Sequence, residues 1–160
     1  MQFEPISIFW AIYSFLPAYV ANATPILFGG GTPIDLGRIH LDGKPIFGSH
    51  KTFRGLSFGL FFGTAMGLIQ GDLRLALLLS AGALLGDLAS AFFKRRINQP
   101  PGAPVPVLDQ LDFVVGALLL SSVLYTHSVE DVFYVVLFTP LFHILMNTFA
   151  CLLNFKKEPW

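Results

Sequence analysis

The sequence predicts an all-α, multi-pass membrane protein, and three observations carry that prediction. Of its 160 residues, 54% are hydrophobic and only 12% charged, with a mean hydropathy of +0.65, which is too apolar for an ordinary water-soluble domain. Apolar segments recur along the whole chain, and the length leaves room for about five spans of roughly 20 residues each. The cations, finally, fall almost entirely on one side of the alternation that those segments define. Residues 1–160 therefore read as one integral membrane domain without a separate soluble module.

The first segment runs from about Pro5 to Val20; Glu4 precedes it and no basic stretch does, so a cleaved signal peptide is not expected. A long connection follows, residues 22–54, rich in Gly and Pro, and its apolar pieces Pro25-Ile26-Leu27-Phe28 and Pro45-Ile46-Phe47 favour a packed or re-entrant loop. The second segment, Leu56 to Gln70, carries or adjoins Gly55, Gly59, Gly63, Gly67 and Gly71. Glycine at every fourth position lines one helical face and admits a close neighbour, within the chain or in a homodimer. The third segment spans Leu75 to Phe93, where Gly82 and Gly86 repeat the spacing, and a second loop covers residues 94–106. The fourth spans Val107 to Tyr125 and the fifth Val132 to Leu153, the latter holding the lone Cys151, which permits no intrachain disulfide.

Arg38, Lys44, Lys51 and Arg54 lie in or beside the first loop, Lys94, Arg95 and Arg96 at the second, and Lys156 and Lys157 in the tail; only Arg74 falls on the opposite side. The positive-inside bias then makes both loops cytoplasmic, the N-terminus external and the C-terminus cytoplasmic.

Asp87 sits inside an apolar helix, where a charge costs about 2.5–3.5 kcal/mol on insertion scales, so its default reading is functional. It lies seven residues, about 10 Å, before Lys94, and shares a face with Ser90 and Lys94. Beyond the second loop Asp109-Gln110-Leu111-Asp112 opens the next segment, and Asp112 lies about 9 Å past Pro106. The depths match, so three carboxylates from antiparallel neighbours are expected to converge below a basic rim. Such a set suits Mg²⁺, with room left for a second cation, because Mg²⁺ takes few carboxylates and completes its shell with water and substrate phosphates. A salt-bridge network within the bundle is the plainer alternative.

The first loop offers phosphate-approaching backbone and cations: Asn22, Thr24, Gly29-Gly30-Gly31, Thr32, then Lys51, Thr52 and Arg54. No Walker A or dinucleotide fingerprint is present. His143 and Asn147, four residues apart, are expected to bond between helices. His40 and His50 have no zinc motif around them, and nothing points to a nucleic-acid partner.

Gly86-Asp87-Leu88 with Ser90, then Lys94-Arg95, Pro101-Gly102 and Leu108-Asp109-Gln110-Leu111-Asp112 resemble the signature of membrane CTP:phosphatidate cytidylyltransferases, the CDP-diacylglycerol synthases. The short form, with Pro101-Gly102-Ala103-Pro104 before the aspartates, is similar to the archaeal branch, the CDP-archaeol synthases. The bacterial and eukaryotic His-Gly-Gly and the arginine between the last aspartates are replaced here by Ala103-Pro104-Val105 and Gln110, so their contacts are not carried over. The resemblance implies a Mg²⁺ centre at Asp87, Asp109 and Asp112, with Lys94 and Arg95 serving phosphates. It further implies CTP and an isoprenoid ether-linked phosphatidic acid as substrates at the cytoplasmic face of the cell membrane. The lipid would arrive by a lateral groove, which the glycine-lined second helix and the Phe-rich first and second segments could border. An ion- or proton-coupled small transporter is the competing expectation, since buried carboxylates also mark ion pathways.

Overall fold

A computed structural model describes residues 5–152. Glu4, Leu153, Lys156 and Lys157 lie outside the described residues, and with them the placement of both termini. The described chain is helical: α1 (Pro5–Ser14), α2 (Leu16–Phe28), α3 (Phe53–Gln70), α4 (Leu73–Arg96), α5 (Leu108–Ser121) and α6 (Val129–Leu152). The extended pairing it contains amounts to the isolated bridges Pro33↔Thr52 and Ile39↔Pro45 in the first loop. Among the described residues two helices, α4 and α6, are long and apolar enough to cross a membrane, and α1 with α2 passes the same test only as a pair bent by 55°, the geometry of a broken span or a re-entrant segment.

That bend departs from the sequence expectation of one helix ending near Val20. Pro17 lies in the first turn of α2, where its fixed φ suits a helix start and its missing N–H costs nothing. The chain therefore breaks at Phe15 and restarts, and α2 runs on to Phe28 with Pro25 inside it. Asn22 and Thr24 thus belong to a helix rather than to the loop. Pro25 cannot donate to Ala21 O, and α3 closes on that point: a Cβ added at Gly59 would stand 2.7 Å from this oxygen.

The glycine face of α3 is filled from within the chain. Gly55, Gly59, Gly63 and Gly67 are buried, and a side chain at Gly63 would run into Ala21 Cβ and Pro17 O at 2.8 Å, while one at Gly67 would meet Ala76 Cβ at 2.7 Å. α2 and α4 occupy this face, so it neither borders an open groove nor remains free for a second copy. Gly71, at φ 79°, ends α3 in the left-handed conformation that glycine tolerates, and Asp72 caps α4 by accepting from Leu75 N at 2.9 Å.

Between α4 and α5 the backbones nearly touch. A Cβ on Gly82 would lie 2.8 Å from Ala117 Cα, and one on Gly116 would lie 2.7 Å from Gly86 Cα. Around these crossings Leu79, Ala83, Phe113, Val114 and Ala117 pack with Phe15, Tyr134 and Val135 into the apolar core. α5 is shorter than its apolar run suggests, because Ser121 turns the chain: its hydroxyl donates to Ala117 O at 2.7 Å and meets His127 Nε2 at 2.7 Å.

The first loop is knotted by Asp35, which is 6% exposed and accepts from the backbone N–H groups of Gly37 (3.0 Å), Phe47 (2.9 Å) and Gly48 (2.9 Å). Lys44 Nζ donates to Arg96 O at 2.7 Å, and Arg96 pairs with Asp42 at 2.8 Å while lying over the Phe92 ring. The loop is thereby fastened to the C-terminal end of α4, where cations complement the exposed carbonyls.

Two predictions follow from this packing. Gly86→Ala gains about 0.5–1 kcal/mol of helix propensity but meets backbone across the α4–α5 contact, an overpacking cost of about 1–3 kcal/mol; its melting midpoint in detergent should fall, and an unchanged midpoint would contradict the close approach. Burial works to raise the Asp35 carboxyl, yet the three backbone donors outweigh it and hold the group below its ordinary value of 3.8. Its contribution to loop order is therefore complete above about pH 4 and lost as pH falls through the depressed folded value. Protection of the Phe47 and Gly48 amides from hydrogen exchange, taken relative to the intrinsic rate at each pH, should fall only in that acid range, and Asp35→Asn should lower it at neutral pH.

Candidate active site

One polar cavity of about 310 Å³ opens where the two loops meet the ends of α2, α4, α5 and α6. Asp87, Ser90, Lys94 and Arg95 reach it from consecutive turns of α4, Asp109 and Asp112 from the first turns of α5, Lys51 from the end of the first loop, and Asn22 from α2. Eight residues singled out from sequence are thus brought to one place. Gly30, Thr32, Thr52 and Arg54 are not among its lining residues. Thr52 instead caps α3 by accepting from Gly55 N at 3.1 Å, and Arg54 is exposed against Phe58.

Charge is arranged here in pairs with two members left over. Lys51 Nζ lies 2.6 Å from both oxygens of Asp87, and Lys94 Nζ lies 2.9 and 2.8 Å from those of Asp109. Asp109 Oδ2 also accepts from Val105 N at 2.8 Å, which ties the second loop to the start of α5. Both ion pairs are partly exposed, at 25% and 23% for Lys51 and Asp87 and 11% and 28% for Lys94 and Asp109. Solvent and ligand therefore reach them.

Asp112 has no such lysine. Its carboxylate faces the charge of Asp87 and accepts from Phe113 N at 2.6 Å, with Ser90 Oγ buried beside it but short of hydrogen-bond geometry. Arg95 is the complementary case. It is 4% exposed, and its Nε and Nη1 find no hydrogen-bond partner among the described residues. An unpaired buried guanidinium is costly, and one lining a cavity is suited to a bidentate anion such as phosphate. Gly48, at φ 95°, lets the first loop pass over it: a Cβ there would stand 3.1 Å from Pro101 Cγ and 3.7 Å from Arg95 Nη1.

Among the described residues no group of three His, Cys, Asp or Glu side chains is close enough to enclose a metal ion unaided. The expected convergence of three carboxylates is met as a shared cavity, then, and not as a ready-made cage. Chemically, the cavity sets cations and carboxylates on the same walls, an arrangement suited to an anionic ligand.

Further walls of this site come from residues that the sequence names without assigning them a part in it. His143 and Asn147 reach the cavity from α6, Pro25 and Ile26 from the extended α2, and His50, Pro101 and Gly102 from the loops. The first pair carried a usable signal, two polar groups four residues apart in an apolar helix. The proline-bearing end of α2 did not, because it reads as loop.

The sequence profile of the CarS-like family, CDP-archaeol synthase, matches residues 6–160. The chain is 45% identical over 166 residues to the CDP-archaeol synthase of Thermococcus gammatolerans, covering 96% of this chain and 97% of that one. It is 41% identical over 172 residues to that of Methanocaldococcus jannaschii, with 96% and 97% covered. In three dimensions it is similar, at a TM-score of 0.81 and 39% identity, to a solved intramembrane enzyme for archaeal membrane lipids biosynthesis, over 88% of this chain and 94% of the other.

Proposed function

The chain belongs to the CarS-like CDP-archaeol synthase family, and from that premise we propose that it transfers CMP from CTP to an isoprenoid ether-linked phosphatidic acid, releasing pyrophosphate. The observation that carries the reading to this site is the cavity itself, where Asp87, Asp109, Asp112, Lys51, Lys94 and Arg95 meet at the loop end of an apolar bundle. A carrier is not favoured, since the polar machinery collects at one end and does not continue through the membrane depth.

In the proposed reaction an oxygen of the lipid phosphate attacks the α-phosphorus of CTP; that P–O bond forms as the bond to the β-phosphate oxygen breaks. The pair of electrons leaves with pyrophosphate, and the CDP-lipid stays in the membrane. A lipid monoester phosphate has its second ionisation near about 6 by analogy with phosphoserine, so the nucleophile needs no strong base. Positioning and charge neutralisation then supply most of the acceleration.

Arg95 is the residue we assign first to the nucleotide phosphates, because its unpaired guanidinium gains in one step the partners that folding leaves out. Lys51 and Lys94 can exchange their carboxylates for phosphate oxygens. Mg²⁺ fits the acid set: Asp87 and Asp112 face one another in the same cavity, which favours a cation between like charges. Asp87, Asp109 and Asp112 would hold it, and the chemistry it would supply is neutralisation of negative charge on the phosphates and on the leaving group. The incomplete cage accords with an ion that takes the rest of its shell from substrate and water.

We further infer five membrane crossings, with α1 and α2 forming one broken span and α3 and α5 crossing as shorter helices inside the bundle. The cations of both loops support a cytoplasmic position for the cavity by the positive-inside bias. Phosphate groups of CTP are then available from the cytoplasm while lipid enters from the adjoining leaflet.

The decisive assay incubates purified protein with labelled CTP, Mg²⁺ and an unsaturated archaetidic acid and follows CDP-lipid and pyrophosphate. Product is expected, with loss on chelation of the metal. Asp87→Asn and Asp112→Asn should each lower turnover by about 10²-fold or more while the protein stays folded. Wild-type rates in both variants would refute the assigned centre.

A further inference from the structure

A second cavity, of about 300 Å³, lies against the first and differs from it in character: Tyr19 and Ala23 of α2, Phe113 of α5 and Met146 of α6 give it an apolar wall. The two cavities share Asn22, Ile26, His143 and Asn147 as lining residues, so they adjoin, and the surroundings change from charged to hydrocarbon-like across that polar seam. α6 explains why the gap exists. Up to Pro140 it is held in the bundle, with Tyr134, Val135 and Thr139 buried and Thr139 Oγ1 bonded to Tyr19 OH at 2.6 Å. Beyond Pro140, which removes one backbone donor from the helix, Asn147 is its one buried residue among those described. The lower half of α6 therefore stands off α2 and leaves the apolar cavity between them.

Asn147 is 4% exposed, and its Nδ2 is 3.2 Å from His143 Nδ1 one turn earlier. A primary amide buried in a membrane protein needs polar partners, and this one stands where charged and apolar space join. We propose that Asn147, oriented by His143, is a positioning residue that meets the phosphate–glycerol junction of the lipid acceptor while one of its hydrocarbon chains lies in the apolar cavity between α2 and α6. This rests on the reaction proposed above and adds where its lipid sits. The occupant follows from this adjacency: a single molecule with an anionic head and a long apolar chain satisfies both cavities. A polar solute would leave the apolar wall wet, and a purely apolar one would leave the amide without a ligand.

The test combines labelling with kinetics. A dialkylglycerol phosphate carrying a photoreactive diazirine in one chain should label α2 near Ala23 and α6 near Met146 in the wild-type protein, and Ala23→Phe, which fills the cavity, should suppress that labelling. Labelling confined to outward faces such as Phe61 of α3 would overturn the inference. Asn147→Leu keeps the volume and removes the hydrogen bonds; with Ala23→Phe it should raise KM for the lipid about tenfold and leave KM for CTP within about twofold, as loss of one hydrogen bond to a charged group predicts. Equal changes for both substrates, or none, would count against it. If the wild type made no CDP-lipid at all the proposed reaction would fall, and the labelling pattern would decide the placement of the lipid by itself.

Discussion

The contact on which the rest depends is the near touch of α4 and α5. Gly86 lies against the backbone of Asp112, and Gly116 lies against Gly82 and Gly86, so two main chains approach to a distance that any side chain would prevent. Because Asp87 directly follows Gly86, this crossing brings Asp87 and Asp112 to the walls of one cavity. Association of helices in lipid lacks the hydrophobic driving force available in water, and close backbone packing takes its place through dispersion and weak Cα–H···O contacts. The acids are thus held together by glycines. Without that clamp the mutual repulsion of the carboxylates would favour separation.

Electrostatics then explain why the loops are ordered. Asp87 and Asp109 are each neutralised by a lysine from a different element, Lys51 from the first loop and Lys94 from α4. The first of these pairs draws the end of the first loop down onto the bundle, and Asp109 also bonds the second loop at Val105. Asp35 performs the same service within the first loop by gathering backbone donors. Within this site, among the described residues, Asp112 forms no ion pair and Arg95 keeps Nε and Nη1 without a hydrogen-bond partner. The divalent ion and polyphosphate of the proposed reaction would supply the opposite charge to each.

Much of this was legible in the sequence where a pattern repeats or a charge is out of place. The four-residue glycine period gave α3 its buried face, and Asp87, Asp109 and Asp112 were recognisable because carboxylates are expensive in apolar segments. Two things hid from the same reasoning. The first apolar segment runs through Pro17 without a break and Pro25 reads as loop, yet Pro17 starts α2 and Pro25 sits near its end, where a lost hydrogen bond is tolerated because α3 packs against the freed carbonyl, so Asn22 belongs to a helix. The pairing of Lys51 with Asp87 joins residues 36 positions apart, and no local spacing encodes it. Thr52 illustrates the converse error: a hydroxyl beside a cation suggested phosphate binding, whereas helix capping uses the same hydroxyl.

The seam at His143 and Asn147 connects these local facts to the demands of the reaction. A soluble nucleotide and a membrane lipid can react only where their phosphates share a depth, and that depth is set from the aqueous side by the carboxylates. From the membrane side something must stop the lipid head at the same level. Pro140 lets the lower part of α6 leave the bundle, which opens apolar space, and Asn147 is the polar residue of α6 that remains buried at its edge. Hydrocarbon can advance along the apolar wall, but an anionic head gains its first protein partners only at that amide and at the cations beyond it. The same helix therefore creates the entry and marks where it ends, so lipid depth is fixed by where solvation changes along α6 rather than by the length of the lipid's chains.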